Sequence, residues 1–371
     1  MCFFVDNMEE PFTTYMTTET DYAESGTSDY PDYSSDWPEN TGMCDRSWVR
    51  KFRGQYEPPL FWIIFILGAV GNLMVVWIYT TVRNRLKTMT DVYLLNLAVA
   101  DLLFLCMLPF WAVDATKGWD FGIGLCKVVS AVYKINFFSS MLLLTCISVD
   151  RYIVIVQVTK AQNLKTKRLF YSKLACLVVW FVSILLALPE FIFAQVKDIS
   201  CTLVYWNNKY NRTKILVLSL QICMGFFLPL LVMCFCYFVI IRTLLQARNF
   251  EKHKALRVVF AVVFVFVISQ LPHNGLLIME ATQAANTTIT DCETVIGFDV
   301  AGQVAKTLAF THACLNPFLY VFIGVRFRKD LLRIVKMCAC GLGKGGLSKI
   351  QAVPKRPSVM SDTETTPAFS I

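Results

Sequence analysis

The sequence predicts an all-α membrane protein, a seven-transmembrane helix bundle with a short amphipathic eighth helix. Of its 371 residues 56% are hydrophobic and only 17% are charged, and the apolar residues are grouped in seven blocks. A soluble domain carries about 25% charged residues, whereas about twenty apolar residues cross a hydrocarbon core of about 30 Å. Because backbone amides in lipid must be satisfied within their own segment, each block is expected to be a helix.

The seven blocks follow one another with polar segments between them. They are Leu60–Val82, Asp91–Asp114, Gly124–Ile153, Leu174–Gln195, Ile215–Thr243, Ala255–Ala281 and Val295–Ile323. The third and fifth exceed the minimum span, so we expect them to tilt or to project from the membrane. The first forty residues are polar and acidic, so no cleavable signal peptide is expected and the first block should direct insertion.

Composition divides the chain into four regions. Residues 1–55 form an acidic, tyrosine-rich amino-terminal arm, 56–325 the helix bundle, 326–340 an amphipathic helix and palmitoylation segment, and 341–371 a disordered tail rich in Ser and Thr. The amphipathic stretch Phe327–Val335 is expected to lie on the inner leaflet. Cys338 and Cys340 follow it and are candidates for palmitoylation.

Charged residues predict the orientation. Residues 1–43 contain ten acidic residues and no Lys or Arg. Basic residues instead gather in every second connecting segment (83–87, 160–173, 248–257) and after the last block (326–336). The positive-inside rule therefore predicts an extracellular amino terminus and a cytoplasmic carboxyl terminus at the plasma membrane. The net charge of +8 then belongs mostly to the cytoplasmic face, and no nucleic-acid partner is expected.

Cysteines and sequons fit this orientation. On the oxidising side, Cys126 at the start of the third block can bridge to Cys201 in the second outer loop, and Cys44 can join Cys292. Cys2 is left without an assigned role. The sequons at Asn211 and Asn286 fall in predicted outer loops and are candidates for glycosylation.

Short motifs occur in order on all seven blocks. They are Gly71-Asn72, Leu97 to Asp101, Asp150-Arg151-Tyr152, Trp180, Pro229 with Tyr237, Pro272, and Asn316-Pro317-Phe318-Leu319-Tyr320. A single tripeptide such as Asp150-Arg151-Tyr152 occurs often by chance, whereas a matching motif on each of seven successive blocks does not. The set resembles the rhodopsin-like G-protein-coupled receptors.

Finer features look like the C-C chemokine receptors. These are Pro109-Phe110-Trp111, Trp119 with Phe121-Gly122, Lys87 to Asp91, and the extra pair Cys44 and Cys292. Short stretches such as Lys167-Arg168-Leu169 are most similar to type 9 members, while Arg242 to Glu251 is more similar to type 7. The resemblance runs from about Cys44 to Cys340. It implies a receptor for a C-C chemokine that acts through a heterotrimeric G protein of the Gi class to release calcium and direct leukocyte migration.

The arm and the outer helix ends are the predicted ligand site. Tyr15, Tyr22, Tyr30 and Tyr33 lie among acidic residues that suit sulfation, and an acidic strand attracts a basic protein over about 8 Å at physiological salt. A merely solvated tail is the alternative. The resemblance implies that the ligand's amino terminus contacts a second set of residues, which are Trp111, Asp114, Tyr133, Glu280, Asp299 and Lys306. The alternative is that the aromatic members of this set only pack between helices. Lys306 replaces a glutamate that several family members carry, which disfavours ligands that rely on that carboxylate.

A polar cluster is predicted in mid-membrane. Its members are Asp101, Asn136, Ser140, His312 and Asn316. An ionisable side chain at this depth indicates function, and in the resembled class the cluster binds an allosteric sodium ion. A purely hydrogen-bonded network is the alternative. No other cofactor is expected.

The resemblance also implies a switch at the cytoplasmic side. Arg151 is expected to be held by Asp150 and then released to the G protein, with roles for Tyr152, Tyr237, Pro272, Asn316, Pro317 and Tyr320. Gln270 stands where the class usually has tryptophan, and Met107 and His273 also depart from the pattern. In the tail, phosphorylation would create an arrestin site at Ser358, Ser361, Thr363, Thr365, Thr366 and Ser370.

Three other functions were weighed. An atypical chemokine receptor would bind and internalise its ligand without activating a G protein, and Val154, where signalling members usually have alanine, favours it. A membrane enzyme is disfavoured because the chain contains no His-Glu-x-x-His or Gly-x-Ser-x-Gly motif and only 3 His. A channel is disfavoured because no filter segment or polar pore face is visible.

Overall fold

Helices arranged as a bundle make up most of the computed structural model. The structure describes residues 44–82, 88–157, 167–197, 199–205, 212–246, 253–286, 291–323, 327–328 and 331–332. Apart from Cys44, all of these belong to one compact unit, 45–371. Of the predicted eighth helix only 327–328 and 331–332 are described, and they are helical.

We number the membrane helices as spans one to seven. Span one is Ser47–Trp77 with a π turn at Ile78–Val82, span two is Met89–Leu105 with Leu108–Lys117, and span three is Gly122–Val156. Span four is Arg168–Leu186 with Leu188–Phe193, and span five is Arg212–Ile222, a π turn at Cys223–Phe227 and Leu228–Gln246. Span six is His253–Asn286, and span seven is Cys292–Phe310 with His312–Ile323.

The predicted seven-helix class is confirmed, with corrections at the boundaries. Six helices among the described residues are long and apolar enough to cross a membrane, and span seven is divided at Thr311. Span one begins at Ser47, so residues 47–55, which were assigned to the arm, are helical. Gln195 was predicted to be helical but lies in a strand. Hydropathy marks only the apolar part of a helix, so polar helical turns beyond it were missed.

Local sequence explains where several spans begin or break. Span two starts at a capping box in which the Thr88 hydroxyl accepts the Asp91 backbone N–H at 3.2 Å and the Asp91 carboxylate accepts the Thr88 N–H at 3.0 Å. The same span is interrupted just before Pro109, which lacks the N–H that a continuous helix needs. Pro189 stands in the same position in the second part of span four.

The contact between spans one and seven depends on glycine, asparagine and proline. Pro317 has no N–H, so the Ala313 carbonyl loses its usual helical partner four residues later. The Asn72 amide instead donates to that carbonyl at 2.8 Å. The spans come close because Gly71 has no side chain: a Cβ there would lie 2.8 Å from Cβ of Pro317. The Gly71-Asn72 pair thus compensates for a proline in another span.

Side-chain burial follows the expectation for a bundle in lipid. Leu97, Met141 and Phe266 are fully buried between spans, whereas Leu177 and Phe238 are 68% and 65% exposed. Exposed apolar surface of this extent is unfavourable in water and favourable in a hydrocarbon layer. The core therefore lies along the bundle axis and the apolar outer surface faces the lipid.

An antiparallel β-hairpin follows span four. β1 is Ala194–Lys197 and β2 is Ser200–Leu203, with Ala194 opposite Leu203 and Val196 opposite Cys201. Cys201 is joined to Cys126 at the start of span three by a disulfide, as expected, with the Cα atoms 5.6 Å apart. Cys44 and Cys292 are also in the disulfide-bonded form. The hairpin is thus fixed to the end of span three.

Candidate functional site

Aromatic rings from spans two, three and seven meet beneath the hairpin. The Phe310 ring is 4.9 Å from Phe104 and 5.0 Å from Tyr133, measured between centroids. The Tyr133 hydroxyl is 3.2 Å from Nε2 of His273 in span six. The Lys306 ammonium lies 4.1 Å from the centroid of Trp111. The structure therefore brings together Trp111, Tyr133 and Lys306, three of the predicted ligand residues.

The three predicted ligand carboxylates are each held by a basic side chain. Arg53 Nη2 lies 2.5 Å from Asp114 Oδ2, Lys214 Nζ 2.8 Å from Glu280 Oε1, and Arg46 Nη1 3.5 Å from Asp299 Oδ2. The prediction treated these carboxylates as open to the ligand's ammonium group. In the structure such a group would have to displace an internal cation.

The pair at Asp114 is part of a larger buried cluster that sequence reasoning missed. Arg53 also contacts Glu57, with Nε 3.0 Å from Oε2, and both carboxylates are almost fully buried. The other oxygen of Asp114 accepts the Cys201 backbone N–H at 3.4 Å. Arg53 thus links span one to span two and, through Asp114, to the hairpin. Arg53 and Glu57 are four residues apart, and this spacing would have indicated an ion pair had span one been predicted to begin earlier.

A second missed pair joins spans three and four. Lys134 Nζ is 3.8 Å from Glu190 Oε1, and both side chains are buried. The Lys134 ammonium also lies 5.0 Å from the Tyr133 ring. This side of the site is therefore charged but internally paired.

Tyr205 follows β2 near the same pair. Burial raises the pKa of Tyr205, whose ring centroid is 5.2 Å from that of Phe193.

Two acidic residues outside the spans have lowered pKa values. Asp291 precedes span seven and accepts hydrogen bonds from the Thr294 hydroxyl and, at 2.9 Å, from the Thr294 N–H, which lower its pKa below the usual 3.8. Asp45 precedes span one, and hydrogen bonds from the Ser47 N–H and hydroxyl lower its pKa in the same way. Both remain charged at neutral pH, and Asp291 caps the amino terminus of span seven.

Deeper in the bundle, the predicted polar cluster is assembled around Asp101. Asn136 Nδ2 donates to one carboxylate oxygen at 3.0 Å, and Asn316 Nδ2 donates to the other at 2.8 Å. His312 Nε2 lies 3.8 Å from Asp101, while its Nδ1 is 2.5 Å from the Ala309 carbonyl and so must carry the proton. In the neutral ring, Nε2 then carries no proton and faces the Asp101 carboxylate.

Several acceptors in the Asp101 cluster have no partner. Asn136 Oδ1, Ser140 Oγ and His312 Nε2 are buried without a hydrogen bond among the described atoms. Unpaired buried acceptors are costly, and a cation or water molecule can satisfy them. Above the cluster, Gln270 Nε2 donates to the Ala309 carbonyl at 3.1 Å, which links spans six and seven where the class usually has tryptophan.

Near the carboxyl end of span three, Asp150 contacts two arginines. Arg151 Nη2 lies 3.4 Å from Asp150, but the closer partner is Arg168 of span four at 2.6 Å. Arg151 also donates to the Thr90 hydroxyl. The sequence predicted the neighbouring pair and missed Arg168, because its separation from Asp150 gives no local signal.

The remaining switch residues surround this group. Ser148 Oγ donates to the Tyr237 hydroxyl at 3.3 Å, and the Tyr152 hydroxyl accepts from Gln157 at 3.1 Å. The Tyr320 hydroxyl is buried without a partner among the described atoms. Pro272 lies inside span six and Pro317 inside span seven.

The other predicted sites fall mostly outside the described residues. These are the four arm tyrosines (Tyr15, Tyr22, Tyr30, Tyr33), Asn211, Cys338, Cys340 and the six tail residues (Ser358, Ser361, Thr363, Thr365, Thr366, Ser370). Asn286 is the last residue of span six, where an outer loop was predicted. Their modification stays a prediction.

Comparison with known proteins gives consistent matches. Residues 71–320 match the family described as "7 transmembrane receptor (rhodopsin family)". The chain is 48% identical over 324 residues to the C-C chemokine receptor type 9 of Ovis aries, which covers 86% of this chain and 87% of that protein. It is 45% identical over 324 residues to the Homo sapiens type 9 receptor, with the same 86% and 87% coverage. It is 44% identical over 336 residues to the Homo sapiens type 7 receptor, which covers 88% of both chains. The expected resemblance to both types is confirmed.

Proposed function

Because this chain belongs to the rhodopsin family of seven-transmembrane receptors and, within it, to the C-C chemokine receptors, we propose that it binds a basic C-C chemokine at the cell surface and signals through a heterotrimeric Gi protein. Calcium release and leukocyte migration would follow. The observation that carries the proposal is similarity over most of the chain to receptors of this one class. Proteins of this class are receptors and not enzymes.

The cytoplasmic geometry supports G-protein coupling. Asp150, Arg151 and Tyr152 are all present, and Arg151 is buried against Asp150 and Thr90. A buried arginine held by an ion pair becomes available for binding to another protein once the helices separate and the ion pair breaks. Tyr237 and Tyr320 lie on the neighbouring spans, where they would support the opened cleft.

The proposed membrane orientation rests on the basic connecting segments. With the acidic segment 1–43 outside, the disulfide Cys126–Cys201 lies on the oxidising side. The carboxyl-terminal regions 326–340 and 341–371 would then meet the inner leaflet, with lipid attached at Cys338 and Cys340, and bind arrestin through phosphorylated Ser and Thr.

A panel of recombinant C-C chemokines tests signalling. In transfected cells at least one should lower cyclic AMP and release calcium, and pertussis toxin should abolish both responses. Arg151→Ala should retain chemokine binding at the surface and lose the responses. An Arg151→Ala receptor that signals normally would contradict the proposed switch.

The atypical receptor is the second candidate. Val154, three residues after Arg151, stands where signalling members usually have alanine, and its two additional methyl groups enlarge a partly buried side chain. In the same panel this alternative requires uptake of fluorescent chemokine with no change in cyclic AMP. Val154→Ala should then restore a response that the unmodified chain lacks.

The arm is proposed to capture the chemokine through sulfated tyrosines. Tyr30→Phe with Tyr33→Phe should weaken binding at physiological salt, because each sulfate adds negative charge next to an aspartate. The loss should shrink as the salt concentration rises, since exposed charges are screened within about 8 Å at 0.15 M salt. Unchanged binding at physiological salt would show that the arm is only solvated.

The Asp101 cluster is proposed to hold a sodium ion. One carboxylate matches a single charge, and the unpaired Asn136 Oδ1 and Ser140 Oγ are oxygen ligands of the kind hard cations prefer. The ion would supply positive charge at mid-membrane, while Asn316 and Asn136 hold the carboxylate in place. Sodium should raise the unfolding midpoint of the purified receptor relative to N-methylglucamine, and Asp101→Asn should abolish that difference. A sodium effect that persists in Asp101→Asn would contradict the site.

A further inference from the structure

Several buried or partly buried charges in the outer half of the bundle are paired with one another. The pairs are Arg46 with Asp299, Arg53 with Glu57 and Asp114, Lys134 with Glu190, and Lys214 with Glu280. Lys306 differs. In the part of the chain that the structure describes, its ammonium forms no ion pair and no hydrogen bond, although it is only partly exposed.

The immediate surroundings of Lys306 are aromatic. Its ammonium lies 4.1 Å from the Trp111 centroid and 5.5 Å from the Phe310 centroid. A cation over an aromatic face is favourable, but the ring cannot accept all three N–H donors. At longer range Glu57 and Asp114 attract the ammonium, while Arg53 and Lys134 repel it. Glu57 and Asp114 together carry one more charge than Arg53 does, so Lys306 balances this group at a distance. Its N–H donors nevertheless have no direct acceptor among the described atoms.

A second donor beside Lys306 is also unsatisfied. The Trp111 side chain is 7% exposed, and its indole Nε1 is buried without an acceptor among the described atoms. A buried N–H without a partner is destabilising, so an acceptor that reaches it is favoured. Trp111 packs against Trp119, with centroids 6.4 Å apart, so the indole is held between residues of the first outer loop and span seven.

We propose that Lys306 and Trp111 form a subsite for a carboxylate group carried on an aromatic or short apolar scaffold. A carboxylate has two oxygens and can accept from the ammonium and from the indole N–H. Phe310 lies 5.5 Å from the Lys306 ammonium and packs against Tyr133, and these aromatic surroundings favour an apolar scaffold over a polar one. This inference deepens the proposed function, because it assigns an acidic group of the ligand to span seven while the predicted ammonium sites are internally paired.

Fragment binding to the purified receptor tests the subsite without any chemokine. The probes are 3-phenylpropionate and its neutral amide, 3-phenylpropionamide, titrated against the thermal unfolding midpoint. The acid should bind about tenfold more tightly than the amide, the ratio expected from one charge-assisted hydrogen bond. Lys306→Gln should bring the ratio near one, and Lys306→Arg should retain it if Lys306→Gln does not fold.

Lys214→Gln is the matched control. It removes a lysine of the same bundle whose ammonium is paired with Glu280, so the tenfold preference should remain. An unmodified receptor that binds both probes equally, or binds neither, overturns the proposal. A preference that survives in Lys306→Gln overturns it as well.

The chemokine panel identifies the source of the carboxylate. If an acidic side chain of the protein ligand occupies the subsite, the active chemokine should lose about tenfold in potency on Lys306→Gln. If free aromatic acids occupy it, chemokine potency stays unchanged while the fragment preference remains. A panel with no response at all would refute the proposed function and leave the fragment result standing.

Discussion

Arg53 should be the most important single charge for the stability of the end of the bundle that carries the hairpin. It pairs with two carboxylates at once, and the side chains of Glu57 and Asp114 are only 2% and 0% exposed. Arg53→Met keeps most of the side-chain length but leaves both carboxylates in the bundle without a cation. The perturbation therefore removes charge pairing with little change of volume.

The magnitude follows from burial. Removing one partner of a buried ion pair costs about 3–5 kcal/mol. Because the Arg53 side chain is 21% exposed and water reaches it, we expect the lower end, about 3 kcal/mol. A protein of this size loses about 2 °C of unfolding midpoint per kcal/mol, so the midpoint should fall by about 6 °C.

Thermal unfolding of the detergent-solubilised receptor measures this change. A thiol-reactive dye reports unfolding because free cysteines such as Cys176 and Cys314 are buried in the folded protein. The matched control is Arg46→Met, whose pair with Asp299 has side-chain exposures of 57% and 29%. Exposed pairs contribute about 0–1 kcal/mol, so this midpoint should fall by no more than about 2 °C.

A compensated variant separates charge from packing. Combining Arg53→Met with Glu57→Gln and Asp114→Asn removes the stranded charges and keeps an acceptor for the Cys201 N–H. We expect this triple variant to recover at least half of the lost midpoint. Equal losses in Arg53→Met and Arg46→Met would refute the reasoning, and so would a triple variant no more stable than Arg53→Met.

Two further predictions concern backbone positions. Gly71→Ala should destabilise the receptor by about 1–3 kcal/mol, because the new Cβ would lie 2.8 Å from Pro317. Gly275→Ala is the control and should be neutral or stabilising, because nothing lies within 4 Å of a Cβ at that position. Equal effects of the two substitutions in the same thermal assay would contradict the close approach at Gly71. Asp291→Ala should lower the unfolding midpoint at neutral pH. Since the pKa of Asp291 is below 3.8 in the folded chain, its contribution to stability is present above about pH 4 and is lost in stronger acid. The difference in unfolding midpoint between the variant and the unmodified chain should therefore narrow in strong acid. A difference that does not change with pH would exclude the cap.

The sequence was sufficient for features that depend on composition and strict spacing. Apolar blocks located all seven spans because lipid requires long uninterrupted helices. Cys126 and Cys201 could be paired because orientation placed both at the outer side. The contacts of Asp101 with Asn136 and Asn316 follow from motifs at matching depths in three spans.

The sequence was insufficient where partners are distant and polar. Arg53 and Asp114 are separated by 61 positions, and Arg53 lies in a polar helical turn that hydropathy excludes from span one. Asp150 was assigned to its neighbour Arg151, although Arg168 is nearer in space. Predicted carboxylate sites were treated as open because a sequence does not show which cation faces which acid.

The π turn at Cys223–Phe227 changes how positions in span five must be counted. A π turn accommodates one extra residue compared with an α-helical turn, and each residue advances an α-helix by about 100°. Lys214, before the turn, therefore faces a direction about 100° away from the one that regular counting back from Pro229 would give. Gly225 lies inside the turn, where a Cβ would be 2.3 Å from the Phe138 ring. Transferring a residue's role from a relative whose fifth span is a regular α-helix here would thus assign that role to the adjacent helix face.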